Sequence, residues 1–265
     1  MNQDCKIYNG NWYKDPEVYN KFSKAEDKNE VCFKIVSDIL RDEKIHNPID
    51  LCSGTGRVID YLLTESYTGM IYGIEKSNEM CEFLEKKYDW QVVIIKTPTE
   101  ELLNHPLRNN IKSSLVISRF GFPSKIWDKK LAWEELIAVE SLLAKDGLFI
   151  TLGWDEDFND ELNEMWYRFV PDGLQAKNFD EWKKERKSSI TSTRNAHLTI
   201  YKKNINTSLQ FNSLQESAYI MGTLFGERAL QYIVKDNKTN WEMKMSITVD
   251  TKESIKKILK KYERT

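Results

Sequence analysis

The fold is decided by residues 49–57, which read IDLCSGTGR. Apolar residues after Pro48 predict a short strand, and the chain then reaches Gly54 and Gly56, two glycines separated by one residue. Apolar residues return at helical spacing from Val58 onwards, so the segment predicts a strand, a tight turn and a helix. A Gly-x-Gly turn between a strand and a helix lets a ligand approach the backbone closely and points amide N–H groups at it.

Short apolar stretches alternate with helical patterns on both sides of this turn. The spacing predicts a helix at about 29–42 and a later helix that ends at 145–147, where Gly147 is typical of a helix stop. Such alternation is typical of a parallel sheet that helices cover on both faces. The strands after the first are predicted at 70–74, 92–95, 115–117 and 148–152.

The carboxyl ends of these strands should share one rim of the sheet. Parallel α/β sheets bind ligands at that rim, near the point where the strand order reverses. We therefore expect the rim to carry Gly54–Gly56, Glu75, Thr97 and Ser118.

The composition changes after Trp154. Residues 155–195 are strongly polar with scattered aromatic residues, and helix-like and strand-like patterns follow further on. No linker-like stretch separates the two halves, which argues against an independent second domain. We predict four segments: an N-terminal aromatic lid at 1–28, a core at 29–154, a cap insertion at 155–205, and a return to the same sheet at 206–265.

The overall composition narrows the class of protein. The 265 residues carry a formal net charge of −2, which gives no field that would attract DNA, RNA or an anionic membrane. No apolar run approaches the roughly 18–20 residues of a membrane span, and the first residues do not resemble a signal peptide. The four cysteines are widely spaced, which disfavours a disulfide scaffold and a structural zinc site. We expect a cytoplasmic protein, monomeric or homodimeric, with no membrane partner and no metal.

Two acids flank the glycine turn in the predicted fold. Asp50 lies at the end of the first strand, and Glu75 ends the second strand, where an acid suits hydrogen bonds to ribose hydroxyls. A dinucleotide fingerprint would place a third small residue where Ile59 stands, and Asp50 would repel a pyrophosphate. A cationic ligand fits this acidic turn better, and S-adenosylmethionine (SAM) is such a ligand.

Three stretches resemble the motifs of class I SAM-dependent methyltransferases. Residues 49–57 are similar to the first motif, usually an acid followed by Leu-Gly-Cys-Gly-Thr-Gly. Residues 72–80, YGIEKSNEM, are similar to the second, and residues 142–150, LLAKDGLFI, to the helix, turn and fifth strand. The resemblance covers about residues 30–155. It implies a Rossmann-like, doubly wound, seven-stranded and mostly parallel sheet with helices on both faces and an inserted cap after strand five.

The resemblance also implies the cofactor SAM, with S-adenosylhomocysteine (SAH) as its product. The acid of the second motif would hold the ribose, and the methionine after it would pack near adenine. Two positions depart from the pattern: Cys52 replaces the first glycine of the turn, and residues 96–101 lack the Asp that usually holds the adenine amino group. The implied cofactor-binding residues are Tyr19, Asp50, Cys52, Ser53, Gly54, Gly56, Glu75, Lys76, Met80, Thr97, Pro98, Thr99 and Ser118.

The sequence says less about the residues that bind the methyl acceptor. Methyl transfer from a sulfonium needs positioning and exclusion of water, and a general base only when the acceptor arrives protonated. His197 is the candidate base, although a polar strand edge also explains it. Trp12 and Tyr13 fit either a lid or an anchor for the N-terminal segment, and Arg119 fits an acceptor carboxylate or an ion pair. The candidate substrate-binding residues are Trp12, Tyr13, Arg119, Phe120 and Trp154.

The leading hypothesis is a methyltransferase that acts on N or O of a small molecule. Residues 118–122, SRFGF, lack the Asn/Asp-Pro-Pro-Tyr/Phe and Pro-Cys signatures of DNA methyltransferases, so DNA is excluded as a substrate. The basic cluster at 183–187 is interrupted by Glu185 and reads as a solvated helix face, which disfavours RNA. The alternatives are a methyltransferase acting on a peptide, protein or RNA, a catalytically silent SAM-binding module, and an NAD-dependent oxidoreductase.

Overall fold

A computed structural model describes residues 14–106, 110–122, 129–155, 157, 159–169, 178–184 and 199–262. The predicted site residues Trp12, Tyr13 and His197 lie outside these ranges. Within them, no helix has the length and apolar character to cross a membrane.

Helices and strands alternate through the first 154 residues, as the apolar pattern predicts. In chain order the elements are α1 (Pro16–Ala25), α2 (Val31–Leu40), β1 (Ile45–His46), β2 (Ile49–Leu51), α3 (Arg57–Leu62), β3 (Tyr67–Thr68), β4 (Ile71–Glu75), α4 (Asn78–Lys87), β5 (Val92–Lys96), a 3-10 helix (Thr99–Asn104), β6 (Ser113–Arg119), α5 (Lys129–Leu142), β7 (Leu143–Trp154), α6 (Glu161–Phe169), β8 (Tyr201–Gln210), α7 (Leu214–Phe225), α8 (Glu227–Asp236), β9 (Asn240–Thr251) and α9 (Lys252–Tyr262).

Seven strands form the main sheet in the order β5-β4-β2-β6-β7-β9-β8. The first five of these strands are parallel, and β9 runs antiparallel between β7 and β8. From β2 the chain moves outward to β4 and β5, then returns to β6 on the other side, so the strand order reverses between β2 and β6. This topology confirms the predicted Rossmann-like, mostly parallel sheet and locates its ligand-binding crevice at the carboxyl ends of β2 and β6.

Apolar clusters pack against both faces of the sheet. One joins α1, α2, α3 and α7 to the sheet through buried residues such as Phe22 and Leu224. The other joins α5 and α9 to the opposite face through Val139 and Ile255. Because both faces are covered, most residues of the central strands β2, β4 and β6 are buried, which explains why they read as continuous apolar runs.

The predicted helix stop at 145–147 is wrong. Helix α5 ends at Leu142, and residues 143–154 are extended as β7. Gly147 lies inside this strand, where a Cβ atom would approach the carbonyl oxygen of Ser113 to 2.8 Å. The register between β6 and β7 shifts at Ser113 and Leu115. Gly147 therefore permits close contact between two strands at an irregular pairing, and a local pattern does not distinguish this role from a helix end.

The C-terminal part of the chain returns to the same sheet. Strand β8 begins at Tyr201, so the predicted boundary at 205 falls inside it. The apolar pattern of residues 217–234 predicts one helix, but the structure has two, since Gly226, with φ of +87°, separates α7 from α8. About half of the predicted cap at 155–205 and about half of the predicted lid at 1–28 lie outside the described residues, and both segments remain predictions.

Candidate functional site

The glycine turn lies where β2 ends, at the point where the strand order reverses. Gly56 is the residue before α3 and has φ of +82°, a left-handed conformation that glycine adopts without strain. The backbone N–H of Ser53 donates to the carbonyl of Ile74 at 2.9 Å, which ties the turn to the neighbouring strand β4. The turn is therefore fixed to the sheet on the side where the second predicted acid stands.

Glu75 joins the two motifs physically. Its side chain is buried, its Oε2 atom accepts a hydrogen bond from the N–H of Gly54 at 2.8 Å, and its Oε1 atom accepts from the N–H groups of Lys76 and Ser77 at 2.8 Å each. A carboxylate can accept about four hydrogen bonds, so with three accepted here one acceptor position, on Oε2, remains for a ligand hydroxyl. The acid is thus held rigidly at the edge of the turn.

Cys52 occupies the position that is glycine in the first motif, and its backbone keeps the left-handed conformation with φ of +64°. The space for its side chain comes from Gly121, where a Cβ atom would lie 2.2 Å from the Cβ atom of Cys52. The Sγ atom donates to the carbonyl of Gly121 at 3.3 Å. Burial raises the pKa of the Cys52 thiol to about 12, so the thiol is neutral.

Asp50 and Ser118 lie buried beneath the turn, on the adjacent strands β2 and β6. Burial, together with the negative charge of Glu75, raises the pKa of Asp50 to about 8. Among the described residues, neither the Oδ2 atom of Asp50 nor the Oγ atom of Ser118 has a hydrogen-bond partner. Buried polar atoms without partners cost free energy, so this floor of the site is suited to a polar or cationic ligand group.

A cavity of about 160 Å³ opens beside the turn. This volume is smaller than the roughly 300 Å³ at which ligand pockets for drug-sized molecules begin, so a large ligand must also occupy the mouth or displace part of the wall. The 3-10 helix supplies one wall, and α1 supplies another through Tyr19. The lining residues are Tyr19, Cys52, Gly54, Ile74, Glu75, Lys76, Thr97, Pro98, Thr99, Glu100, Arg119, Phe120 and Gly121.

Several residues of the predicted cofactor set do not line this cavity. Asp50, Ser53 and Ser118 are buried beneath the turn, and Gly56 faces α4, where a Cβ atom would lie 2.3 Å from the hydroxyl of Tyr88. Met80 is completely buried in α4 and is not among the lining residues. The structure therefore divides the predicted set into residues at the surface of the cavity and residues that support it.

Arg119 lies on the rim, as predicted, but a carboxylate already holds it. Its guanidinium donates to the Oε2 atom of Glu26 at 3.1 Å and to the Oγ atom of Ser23 at 3.3 Å, and both members of the ion pair are almost fully buried. Desolvation raises the pKa of Glu26, and the charge of Arg119 opposes this shift. The ion pair fastens the end of α1 to the end of β6.

An aromatic pair continues the rim beside this ion pair. The guanidinium carbon of Arg119 lies 4.7 Å from the centre of the Phe120 ring, and that ring lies 4.7 Å from the ring of Trp154. Phe120 therefore contacts both of the other candidate substrate-binding residues that the structure describes.

Sequence reasoning missed Glu26, Glu100 and Gly121. Glu26 is separated from Arg119 by 93 positions, and Gly121 from Cys52 by 69 positions. No local motif contains these pairs, although Gly121 follows strand β6 directly on the predicted rim. Within the described ranges, no group of three or more His, Cys, Asp or Glu side chains is arranged to hold a metal ion.

The strand order, with an antiparallel strand next to the edge, and the glycine turn at the switch point define the fold of class I SAM-dependent methyltransferases. No protein-family model and no curated protein matches the chain.

Solved structures of similar fold include the plantazolicin methyltransferase BamL, in complex with a triazolic desmethylPZN analogue and SAH, at 13% identity over 92% of this chain and 94% of that chain, with a TM-score of 0.46. They also include a SAM-dependent methyltransferase from Thermotoga maritima at 13% identity, covering 91% of this chain and 98% of that one, with a TM-score of 0.47. A third, from Clostridium acetobutylicum, is 21% identical over 55% of this chain and 58% of that one, with a TM-score of 0.44.

Proposed function

We propose that this protein is a SAM-dependent methyltransferase. The observation that carries the proposal is the direct hydrogen bond between Glu75 and the Gly54 amide at the point where the strand order reverses. This hydrogen bond joins an acid placed to bind a ribose to a glycine turn that a ligand can approach closely. Asp50 lies buried beside that unit, and a ligand that carries positive charge would favour the ionised form of its carboxyl group.

The residues present fit SAM. Glu75 retains one acceptor position for a ribose hydroxyl, and the unpartnered Oδ2 atom of Asp50, which lies behind the cavity lining, would attract the ammonium group of the methionine moiety. Thr97, Pro98 and Thr99 line the cavity where the adenine would be held. When bound, SAM supplies an electrophilic methyl group on a sulfonium.

The chain's own residues bind and orient the reactants and exclude water. Tyr19 and Phe120 line the cavity from opposite elements, α1 and the end of β6, and form apolar walls. Such walls keep water from the reacting atoms and hold an acceptor at attack distance.

We further propose that the acceptor is N or O of a small molecule. Two observations support this: the net charge of −2, which favours no polyanion, and the aromatic pair Phe120 and Trp154 on the rim, which offers a flat apolar surface to an organic acceptor. Trp12 and Tyr13 as a lid, and His197 as a general base, belong to the same proposal.

Ligand-dependent thermal stability tests the cofactor assignment. SAM and SAH should raise Tm, because a ligand that binds only the native state stabilises it, whereas NAD and NADP should leave Tm unchanged. Glu75→Ala should abolish the shift, and Glu79→Ala, on the exposed side of α4, is the matched control. Stabilisation by NAD, or a full SAM shift in Glu75→Ala, would refute the assignment.

Incubation with methyl-labelled SAM tests the acceptor. Labelled products should appear in a small-molecule metabolite extract. Label confined to peptide or RNA fractions would identify a macromolecular methyltransferase, and SAM binding without any labelled product would identify a silent binding module.

A further inference from the structure

Both ends of helix α4 are connected to the glycine turn. Helix α4 begins next to Glu75 and ends beside the carbonyl groups of the turn, a distance of about 15 Å for its ten residues. Immediately before the helix, the N–H groups of Lys76 and Ser77 donate to Glu75, which accepts from Gly54 as well. At its last turn, Lys87 and Tyr88 form a polar cluster with Asp60 and contact the carbonyl groups of Thr55 and Gly56.

Two carbonyl groups of the turn accept hydrogen bonds from the end of α4. The Nζ atom of Lys87 donates to the carbonyl of Thr55 at 2.9 Å, and the hydroxyl of Tyr88 donates to the carbonyl of Gly56 at 2.7 Å. Gly56 lies so close to Tyr88 that a Cβ atom at position 56 would stand 2.3 Å from the hydroxyl. The absence of a side chain at Gly56 therefore serves this contact with α4.

Asp60 completes the cluster from the first turn of α3. Its Oδ2 atom accepts from Lys87 at 2.8 Å, and its Oδ1 atom is 2.7 Å from the Tyr88 hydroxyl, whose single proton is shared between Asp60 and Gly56. The three side chains are only partly exposed, and Lys87 also lies over the Tyr88 ring at 4.8 Å. The charges of Lys87 and Asp60 thus balance each other, and the cluster restrains the turn.

We propose that Asp60, Lys87 and Tyr88 are positioning residues that hold the glycine turn in the conformation that binds the cofactor. None of them lines the cavity, so they act through the backbone of Thr55 and Gly56. A turn that is restrained before binding costs less ordering when the ligand arrives. The inference rests on the proposed function for its ligand readout.

Tyr88→Phe and Lys87→Met test the proposal in the full chain, with Lys86→Met as the matched control. Lys86 is the preceding residue of the same helix and is exposed. Each test variant removes one donor to the turn and keeps the bulk of the side chain.

Two readouts separate positioning from a general structural role. Hydrogen exchange of the peptide that spans residues 53–60 in the ligand-free protein should quicken by roughly tenfold in both test variants, while exchange in the strands is unchanged. The Kd for SAM, measured by calorimetry well below Tm, should rise about three- to tenfold, the range expected for one lost hydrogen bond. Lys86→Met should match the wild type in both.

Unchanged exchange in residues 53–60 together with a Kd within about twofold of wild type would overturn the proposal. Should Tyr88→Phe fail to fold, Lys87→Met and Asp60→Asn decide the outcome by the same readouts. If the wild type does not bind SAM, the proposed function fails, and the exchange measurement alone then supports or overturns the positioning role.

Discussion

Cys52 shows how one residue can depart from a motif without disturbing the turn. The backbone keeps the left-handed conformation that glycine would adopt at this position, at a cost of about 1 kcal/mol for a side chain that bears a Cβ atom. Gly121 compensates sterically, because the Cβ atom it lacks would overlap Cys52. The side chain at position 52 is therefore accommodated because residue 121 is a glycine and leaves room for it.

The effect of substitutions at Cys52 on stability should depend on how well the new residue adopts the positive φ. Cys52→Gly relieves the backbone strain and loses a small buried side chain, so we expect the free energy of unfolding to change by less than about 1 kcal/mol. Cys52→Val adds a β-branched side chain at a positive φ and should lose about 2 kcal/mol or more. Urea denaturation measures both. Cys81→Val, at a buried helical position, is the control, and equal losses for Cys52→Val and Cys81→Val would contradict the account.

Asp50 should make stability and cofactor binding depend on pH. Its folded-state pKa of about 8 lies above the ordinary value of 3.8, so the native state binds the proton more tightly than the unfolded chain. The contribution of Asp50 to stability is therefore complete below about pH 4 and is lost as pH rises towards 8. A cationic ligand group favours the ionised carboxylate, so SAM binding should strengthen over the same rise in pH and release a proton.

Calorimetry of SAM binding in buffers of different ionisation enthalpy measures this proton release. Asp50→Asn should bind more weakly and release no proton, and its stability relative to wild type should improve as pH rises. Proton release of equal size in wild type and Asp50→Asn would exclude this role for Asp50.

At the scale of elements, α1 depends on one buried ion pair for its attachment to the rim. Arg119 reaches Glu26 and Ser23 from the end of β6, and Tyr19 on the same helix lines the cavity. A charge that loses its partner in such surroundings is far more costly than an exposed one. The attachment of α1 and the shape of the cavity are therefore coupled.

Arg119→Met should lower the free energy of unfolding by about 3 kcal/mol, because Glu26 is left buried without its partner. Arg41→Met is the matched control: its ion pair with Asp38 is largely exposed, with side-chain exposures of 71% and 67%, so its loss should stay within about 0.5 kcal/mol. Chemical denaturation compares the two. Similar small losses for both variants would show that the Glu26 pair does not anchor α1.

The elements that the sequence predicts well are those that carry a local signal. The glycine turn, Glu75 and strands β2, β4, β5 and β6 follow from short apolar runs and residues at fixed spacing. The end of α5 could not be predicted, because Gly147 is needed for contact with Ser113 on a neighbouring strand and not for a helix stop. Contacts between distant positions, such as Arg119 with Glu26, leave no pattern in either stretch.

At the scale of the whole molecule, the alternation of strands and helices predicts the parallel half of the sheet and the switch point. The antiparallel half of the sheet could not be predicted in this way. Strand β9 inserts between β7 and β8 and pairs along ten positions with β8, a long-range arrangement that no local periodicity contains. The predicted cofactor-binding residues of the glycine turn and of the strand ends lie in the parallel half, which is why local motifs could name them, and their role in binding remains a prediction.

The most direct test of the central claim is a crystal structure of the chain grown with SAH. We predict density across the carboxyl ends of β2 and β4, with a ribose hydroxyl within hydrogen-bond distance of Glu75 and the amino group directed towards Asp50. Density for the compound at any other place on the molecule, or none at saturating concentration, would contradict it.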